Sequence, residues 1–267
     1  MQTPTIRPRH PALAFDQSIP RYWFGGSSAA TLIANGVNLL FPAGERFFVR
    51  SVRHYLDRID DPVLREQIKG FAGQEGRHAQ AHERFFEVLT AQGYDIDAFL
   101  RTYERIAFGM VEPRAPAALR LSVTAALEHF TAIMAGNALS LGLLDGAHPE
   151  MRKLLLWHAS EEIEHKAVAF DVLKKVNPSY ALRMAGLAVA TTMLSGFWMA
   201  ATWMLLRQDG VSLSTLHREL RAMGDRSPVG RRVFGRGIAE YARRDFHPAD
   251  NDNFELARAF LSRAEMT

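Results

Sequence analysis

Two copies of the motif Glu-x-x-His constrain the fold of this chain more than any other feature. They are Glu75-Gly-Arg-His78 and Glu162-Ile-Glu-His165, and each falls in a stretch whose apolar residues recur at helical spacing. A spacing of three places the carboxylate and the imidazole on one face of a helix, where both can bind the same metal ion. The motifs therefore predict an all-α chain with metal ligands between its helices.

Each motif is preceded by a glutamate at an interval that suits a helical hairpin. Glu45 lies 30 residues before Glu75, and Glu128 lies 34 residues before Glu162. If a short loop joins two arms of similar length, the members of each pair meet at one level of the bundle. Both leading glutamates lie in apolar stretches, where a charged side chain needs a partner. The pattern predicts a ferritin-like four-helix bundle with additional C-terminal helices.

A third histidine lies on the same helix face as the second motif. His158 precedes Glu162 by one turn, so that His158, Glu162 and His165 can all point inward. The chain contains no cysteine, which leaves nitrogen and oxygen ligands for any metal. The candidate metal ligands and catalytic residues are four carboxylates and three imidazoles: Glu45, Glu75, His78, Glu128, His158, Glu162 and His165.

Three neighbouring residues have open roles. His82 follows His78 by one turn and is a further ligand, a hydrogen-bond partner of a ligand, or neither. Glu161 and Glu164 point about 100° away from Glu162 on a helix, so we expect them to face solvent or to orient the ligands.

The ligand pattern resembles that of the di-iron arylamine N-oxygenases, the p-aminobenzoate type, in which a third histidine joins the usual ferritin-like set. This resemblance covers residues 35–172. Over its whole length the chain looks more like the family of predicted metal-dependent hydrolases. That resemblance lies in Gln74-Glu75-x-x-His78-x-x-x-His82 and in Trp157-His158-x-x-Glu161-Glu162-x-Glu164-His165-Lys166.

The residues support three alternative functions. We favour a non-haem oxygenase or oxidase in which two iron ions activate O2 to oxidise a hydrophobic or aromatic small molecule, with electrons from an external donor. One alternative is a hydrolase in which manganese or zinc activates a water molecule. Another is a non-catalytic protein that handles iron or removes peroxide.

The chain divides into four predicted regions. They are an extended, proline-rich arm (1–26), the ferritin-like di-metal bundle (27–180), a long apolar helix (181–207) and a basic helical segment (208–267). Within the bundle we predict one helix over about 27–58, bent at Pro42, and another over about 149–175.

The apolar helix leaves two locations open. Its 23 uncharged residues from Met184 to Leu206 could pack inside the bundle or associate with a membrane. We expect a cytoplasmic protein, and the alternative is a cytoplasmic protein attached to the inner face of the membrane. The basic segment shows no aromatic interleaving, so we predict no nucleic-acid partner. A membrane surface and a second copy in a homodimer stay open as partners.

Overall fold

The computed structural model describes residues 6–223 and 229–263, except the side chains of residues 229, 230 and 232. Within these residues the chain is helical and forms no β-strand, which confirms the all-α prediction. Residues 1–5 of the predicted arm and residues 224–228 and 264–267 of the predicted basic segment lie outside the described residues.

The α-helices are α1 Ser28–Asn38, α2 Phe41–Arg53, α3 Pro62–Ala91, α4 Asp97–Glu104, α5 Ala117–Ser140, α6 Pro149–His165, α7 Val168–Val176, α8 Tyr180–Gln208, α9 Leu213–Met223, α10 Gly237–Tyr241 and α11 Phe254–Arg263. Short 3-10 or π-helical turns lie at Leu56–Arg58, Arg105–Val111, Glu112–Arg114, Val229–Arg236 and Pro248–Asp250.

The predicted helix over 27–58 is two helices, α1 and α2. Ser27 caps α1 by accepting a hydrogen bond from the amide of Ala30, and the chain turns at Leu39 and Leu40. Pro42 lies in the first turn of α2, where its missing amide hydrogen costs no helical hydrogen bond. Because the chain breaks here, Glu45 lies near the start of α2, where its side chain is buried.

The predicted helix over 149–175 also divides in two. The helix α6 ends at His165 and α7 begins at Val168, so the last residue of the second Glu-x-x-His motif is also the last residue of its helix. Lys166, in the turn between the two helices, is buried and donates a hydrogen bond to Asn253 Oδ1 at 2.6 Å. A buried lysine with polar partners holds this turn.

The four helices that bear the predicted ligands form two hairpins. The first hairpin packs α2 on α3, and the second packs α5 on α6; α5 also contacts α2, and α3 contacts α6. Asp61 caps α3 by accepting hydrogen bonds from Val63 and Leu64. Gly93 follows the end of α3 with a φ of 89°, a conformation that favours glycine. These hairpins bring the two motifs face to face.

The long apolar helix α8 packs along α5 and α1. It passes close to both helices. A Cβ on Gly186 of α8 would overlap Ser122 of α5, and a Cβ on Gly36 of α1 would overlap Thr202 of α8. By length and composition α8 alone among the described helices could cross a membrane, and its outer face exposes Met199 and Trp203. Its inner face packs in the bundle, but only 28% of its most apolar 18-residue stretch is buried, so both predicted locations of this helix stay open.

The N-terminal arm lies against α3. A Cβ on Gly70 would overlap Ile6, and one on Gly73 would overlap Pro8, so two glycines make room for the arm. Arg84 donates a hydrogen bond to the carbonyl of Leu13 at 3.0 Å and holds the arm further along. The arm thus reaches the level of the two Glu-x-x-His motifs.

Candidate metal centre

The two hairpins bring all seven predicted ligands into one buried cluster. Glu45 comes from α2 and Glu128 from α5, while α3 and α6 each present one Glu-x-x-His motif. Every one of the seven residues is buried, with at most 4% of its surface exposed. Helical periodicity accounts for the arrangement, because each apolar helix face carries its ligands at one level of the bundle.

His165 lies at the centre of three carboxylates. Its Nε2 is 3.0 Å from Glu75 Oε1 and 3.4 Å from both Glu128 Oε2 and Glu162 Oε1. None of these approaches has hydrogen-bond geometry, and Nε2 has no hydrogen-bond partner among the described residues. An imidazole nitrogen directed at several carboxylate oxygens at such distances is typical of a metal site.

The opposite nitrogen of His165 is fixed by hydrogen bonds. Its Nδ1 lies 2.9 Å from Gln74 Oε1, and the amide group of Gln74 donates to Glu164 Oε2 at 2.8 Å and to the carbonyl of Arg7. Because the amide nitrogen donates to these two oxygens, the amide oxygen accepts from Nδ1. The proton of His165 is therefore placed on Nδ1, and its Nε2 is free to bind a metal ion.

His78 is held in the same manner through the other nitrogen. Its Nε2 lies 3.0 Å from Glu161 Oε2, while its Nδ1 lies 3.8 Å from Glu162 Oε1 and has no hydrogen-bond partner in the described part of the chain. Of the two roles that the sequence left open for Glu161, the structure shows the orienting one, since Glu161 is fully buried against His78.

Arg9 of the N-terminal arm connects these two supports. Its guanidinium donates to Glu161 Oε1 at 3.1 Å and binds both oxygens of Glu164, at 2.7 and 2.9 Å. Its backbone amide also donates to Glu161 at 3.1 Å. One arginine thus supports His78 through Glu161 and His165 through Glu164 and Gln74.

His158 faces the cluster, and His82 lies behind it. His158 Nε2 is 3.0 Å from Glu162 Oε1 and 3.6 Å from Glu45 Oε1, and its Nδ1 is 2.7 Å from His82 Nε2. The ring of Phe41 packs against both imidazoles, with ring centres 4.7 and 4.8 Å away. This geometry gives His82 the position of a hydrogen-bond partner of His158, although it also lies within ligand distance of Glu45.

The donor atoms of the cluster could hold metal ions. Both carboxylate oxygens of Glu45, Glu75 and Glu128 are buried without a hydrogen-bond partner among the described residues. Four overlapping groups of three ligand atoms have members within 4.8 Å of one another: Glu45-His82-His158, His78-His158-Glu162, Glu45-Glu75-His78 and Glu75-Glu128-His165. Burying so many unbonded carboxylate oxygens is costly unless cations bind them.

The electrostatics of the protein without ions shows the same demand for positive charge. Burial raises the pKa values of Glu45 and Glu128 well above the usual value of a glutamate. It raises the pKa of Glu75 to about 7. Burial opposes the ionisation of Glu162 and His165 too, but their neighbours together outweigh it. His165 and His158 lower the pKa of Glu162, and the surrounding glutamates, Glu162, Glu128 and Glu75, raise the pKa of His165. Bound cations would favour the ionised form of all four carboxylates.

An apolar cavity of about 170 Å³ adjoins the cluster. Phe41 and Glu45, one helical turn apart on α2, line the cavity and also contact the cluster. The rest of its wall comes mainly from apolar residues of α2, α5, α8 and the π-helical turn after α4. A small apolar molecule in this cavity would reach Glu45 first.

The support from the arm was not predicted from the sequence. Arg9 lies in a proline-rich stretch with no helical pattern, and no local feature relates it to Glu161 or Glu164 152 and 155 positions away. A usable signal was present on α6, because Trp157, Glu161 and Glu164 recur at a spacing of four and three. This spacing indicates a second functional face on the same helix.

A family model described as predicted metal-dependent hydrolase matches residues 7–252 of the chain. The match contains the arm from Arg7 onward, all four ligand-bearing helices and α8. Neither the curated proteins nor the solved structures contain a significant match to the chain.

Proposed function

We propose that this chain, which belongs to the family of predicted metal-dependent hydrolases, is a two-metal hydrolase that acts on a small apolar molecule. The observation that carries the proposal is the set of unbonded carboxylate oxygens of Glu45, Glu75 and Glu128 around imidazole nitrogens with fixed protons. The seven predicted ligands would hold the ions. When bound, the ions supply a water molecule of lowered pKa and polarise the bond to be cleaved.

The residues of the chain have three tasks in this reaction. His78 and His165, each fixed by a hydrogen bond on the outer nitrogen, keep the ligand positions constant. Phe41 and the apolar cavity wall exclude bulk water from the substrate side. Glu45, which borders the cavity and has no hydrogen-bond partner among the described residues, would hold an ion on the side from which the substrate enters.

Oxidation of an apolar substrate with O2 is the second candidate, and the ligand composition favours it. The cluster consists of glutamates and histidines, and carboxylates free of hydrogen bonds to the described residues can change their binding mode when iron changes its oxidation state. This candidate requires two iron ions and an external electron donor.

One experiment separates the two candidates. The protein is purified anaerobically, its metal content is measured, and samples loaded with zinc, manganese or iron are assayed on a panel of esters, amides and phosphate esters. The hydrolase proposal expects turnover without O2 by zinc- or manganese-loaded protein. The oxidative candidate expects iron in the purified protein and a change in its optical spectrum when the reduced protein meets O2. Hydrolysis by none of the metal-loaded samples would refute the main proposal.

A further inference from the structure

The outer part of the apolar cavity carries a guanidinium that lacks a full set of partners. Arg120 of α5 lines the cavity, and its buried Nε has no hydrogen-bond partner among the described residues. Arg120 lies eight residues before Glu128 on the same helix, which corresponds to about 12 Å along the helix axis. The cavity wall therefore contains a carboxylate of the cluster, Glu45, and the guanidinium of Arg120, which comes from a position on α5 about two helical turns before the cluster ligand Glu128.

The acidic neighbour of Arg120 in the cavity wall is already paired. Glu112 accepts two hydrogen bonds from Arg50, with Arg50 Nε at 3.1 Å and the second guanidinium nitrogen at 2.7 Å. Arg120 is 4.0 Å from the nearer Glu112 oxygen, beyond hydrogen-bond distance. Two guanidinium groups thus face one carboxylate, which leaves a site for one more anionic group.

The size and lining of the cavity limit what the rest of the ligand can be. A dry protein cavity of about 150 Å³ binds benzene, and the cavity here measures about 170 Å³. Phe47, Phe48, Phe108, Leu119 and Leu127 are among the residues of its wall. By comparison with the benzene-binding cavity, such a volume suits a ring or alkyl chain of roughly six to ten carbon atoms.

We propose that this cavity binds a carboxylate-bearing apolar molecule of about six to ten carbon atoms, with its carboxylate on Arg120 and its apolar body directed towards Glu45. The end remote from the carboxylate is then the end that reacts. Which end reacts rests on the proposed function, whereas the binding mode does not.

Calorimetric titration with octanoate and octanamide tests the binding mode. The two molecules share chain length and shape but differ in charge, and a charge-assisted hydrogen bond is about twice as strong as a neutral one. We expect octanoate to bind the protein about tenfold more tightly than octanamide. The titrations are made with the metal-containing protein and repeated after removal of metal ions with a chelator.

Three variants locate the two ends of the ligand. Arg120→Gln should abolish the preference for octanoate, and Arg120→Lys should retain part of it. Gly44→Leu should weaken both ligands, because Gly44 lines the cavity and a Cβ added there would meet only the Tyr103 hydroxyl, at 3.6 Å, so the larger side chain would occupy the ligand's space. The matched control is Arg101→Gln, an exposed arginine of α4 whose loss should change neither affinity.

Two results would overturn the proposal. One is equal binding of octanoate and octanamide by the wild-type protein, or a preference that survives Arg120→Gln. The other is loss of octanoate binding on metal removal with no effect of Arg120→Gln, which would place the carboxylate on the metal ions. Octanoate binding that depends on Arg120 in a protein without hydrolytic activity would refute the proposed function and leave this binding mode intact.

Discussion

The two sides of the metal cluster differ in how their side chains are held. On the arm side, His78 and His165 each have one nitrogen in a hydrogen bond, and both supports lead to Arg9. On the cavity side, Glu45 has two buried oxygens and no hydrogen bond to any described residue. The imidazoles are therefore positioned by the chain before ions bind, whereas the position of Glu45 next to the cavity depends on the ions.

The largest expected effect comes from the glutamate of the first Glu-x-x-His motif. Glu75 belongs to two of the four groups of three ligand atoms, so Glu75→Gln should leave fewer than two ions per chain and reduce activity by at least about 100-fold. Metal analysis and turnover measurements check this. Glu87→Gln on the same helix is the control, and equal metal content in the two variants would contradict a ligand role for Glu75.

Removal of Arg9 tests the arm side as a unit. Arg9→Gln should lower metal affinity by about tenfold, the low end of the range for residues that hold metal ligands, because Arg9 acts on the two imidazoles through other side chains. Arg84→Gln loosens the arm at Leu13 without touching Glu161 or Glu164, and it should have little effect. The measurement is competition with a chromophoric chelator. Similar losses in both variants would assign the effect to the arm's attachment instead of its charge.

Substitution of His82 tests whether this residue is a metal ligand or the hydrogen-bond partner of one. Because its Nε2 contacts His158 and not a carboxylate at hydrogen-bond distance, His82→Gln should keep two ions per chain and lower activity by roughly tenfold or less. A matched His158→Gln variant should lose more. If His82→Gln loses an ion as Glu75→Gln does, His82 is a ligand.

The smallest expected effect is a pH dependence on the arm side. Burial raises the pKa of Glu161 to about 7 although Arg9 opposes this, whereas an unfolded chain has a glutamate pKa of about 4.3. Between these values the folded protein binds more protons, so this residue lowers the free energy of unfolding as the pH rises. In metal-free protein, the melting temperature of Glu161→Gln relative to wild type should rise by roughly 2–4 °C from pH 5 to pH 7.5. A fall over this range would contradict the sign.

The sequence was sufficient where the information is periodic. Residues three, four and seven apart share a helix face wherever the helix lies, so the inward direction of Glu75, His78, Glu162 and His165 followed from spacing alone. The same argument brought His158 to the cluster. It did not place the break after His165 or divide the first helix at Leu39, because such ends depend on what the turn residues contact.

Only the tertiary structure decided the partners that are distant in the chain. Arg9 meets Glu161 across 152 positions, and Arg120 comes to share a cavity wall with Glu45. Neither pairing has a period in the sequence, since each depends on how an arm or a helix packs on its neighbours. The sequence by itself determined an all-α chain and its candidate ligands, because helical geometry repeats along the chain. The fixed imidazoles and the charged cavity depended on packing, which brings together residues that no local pattern relates.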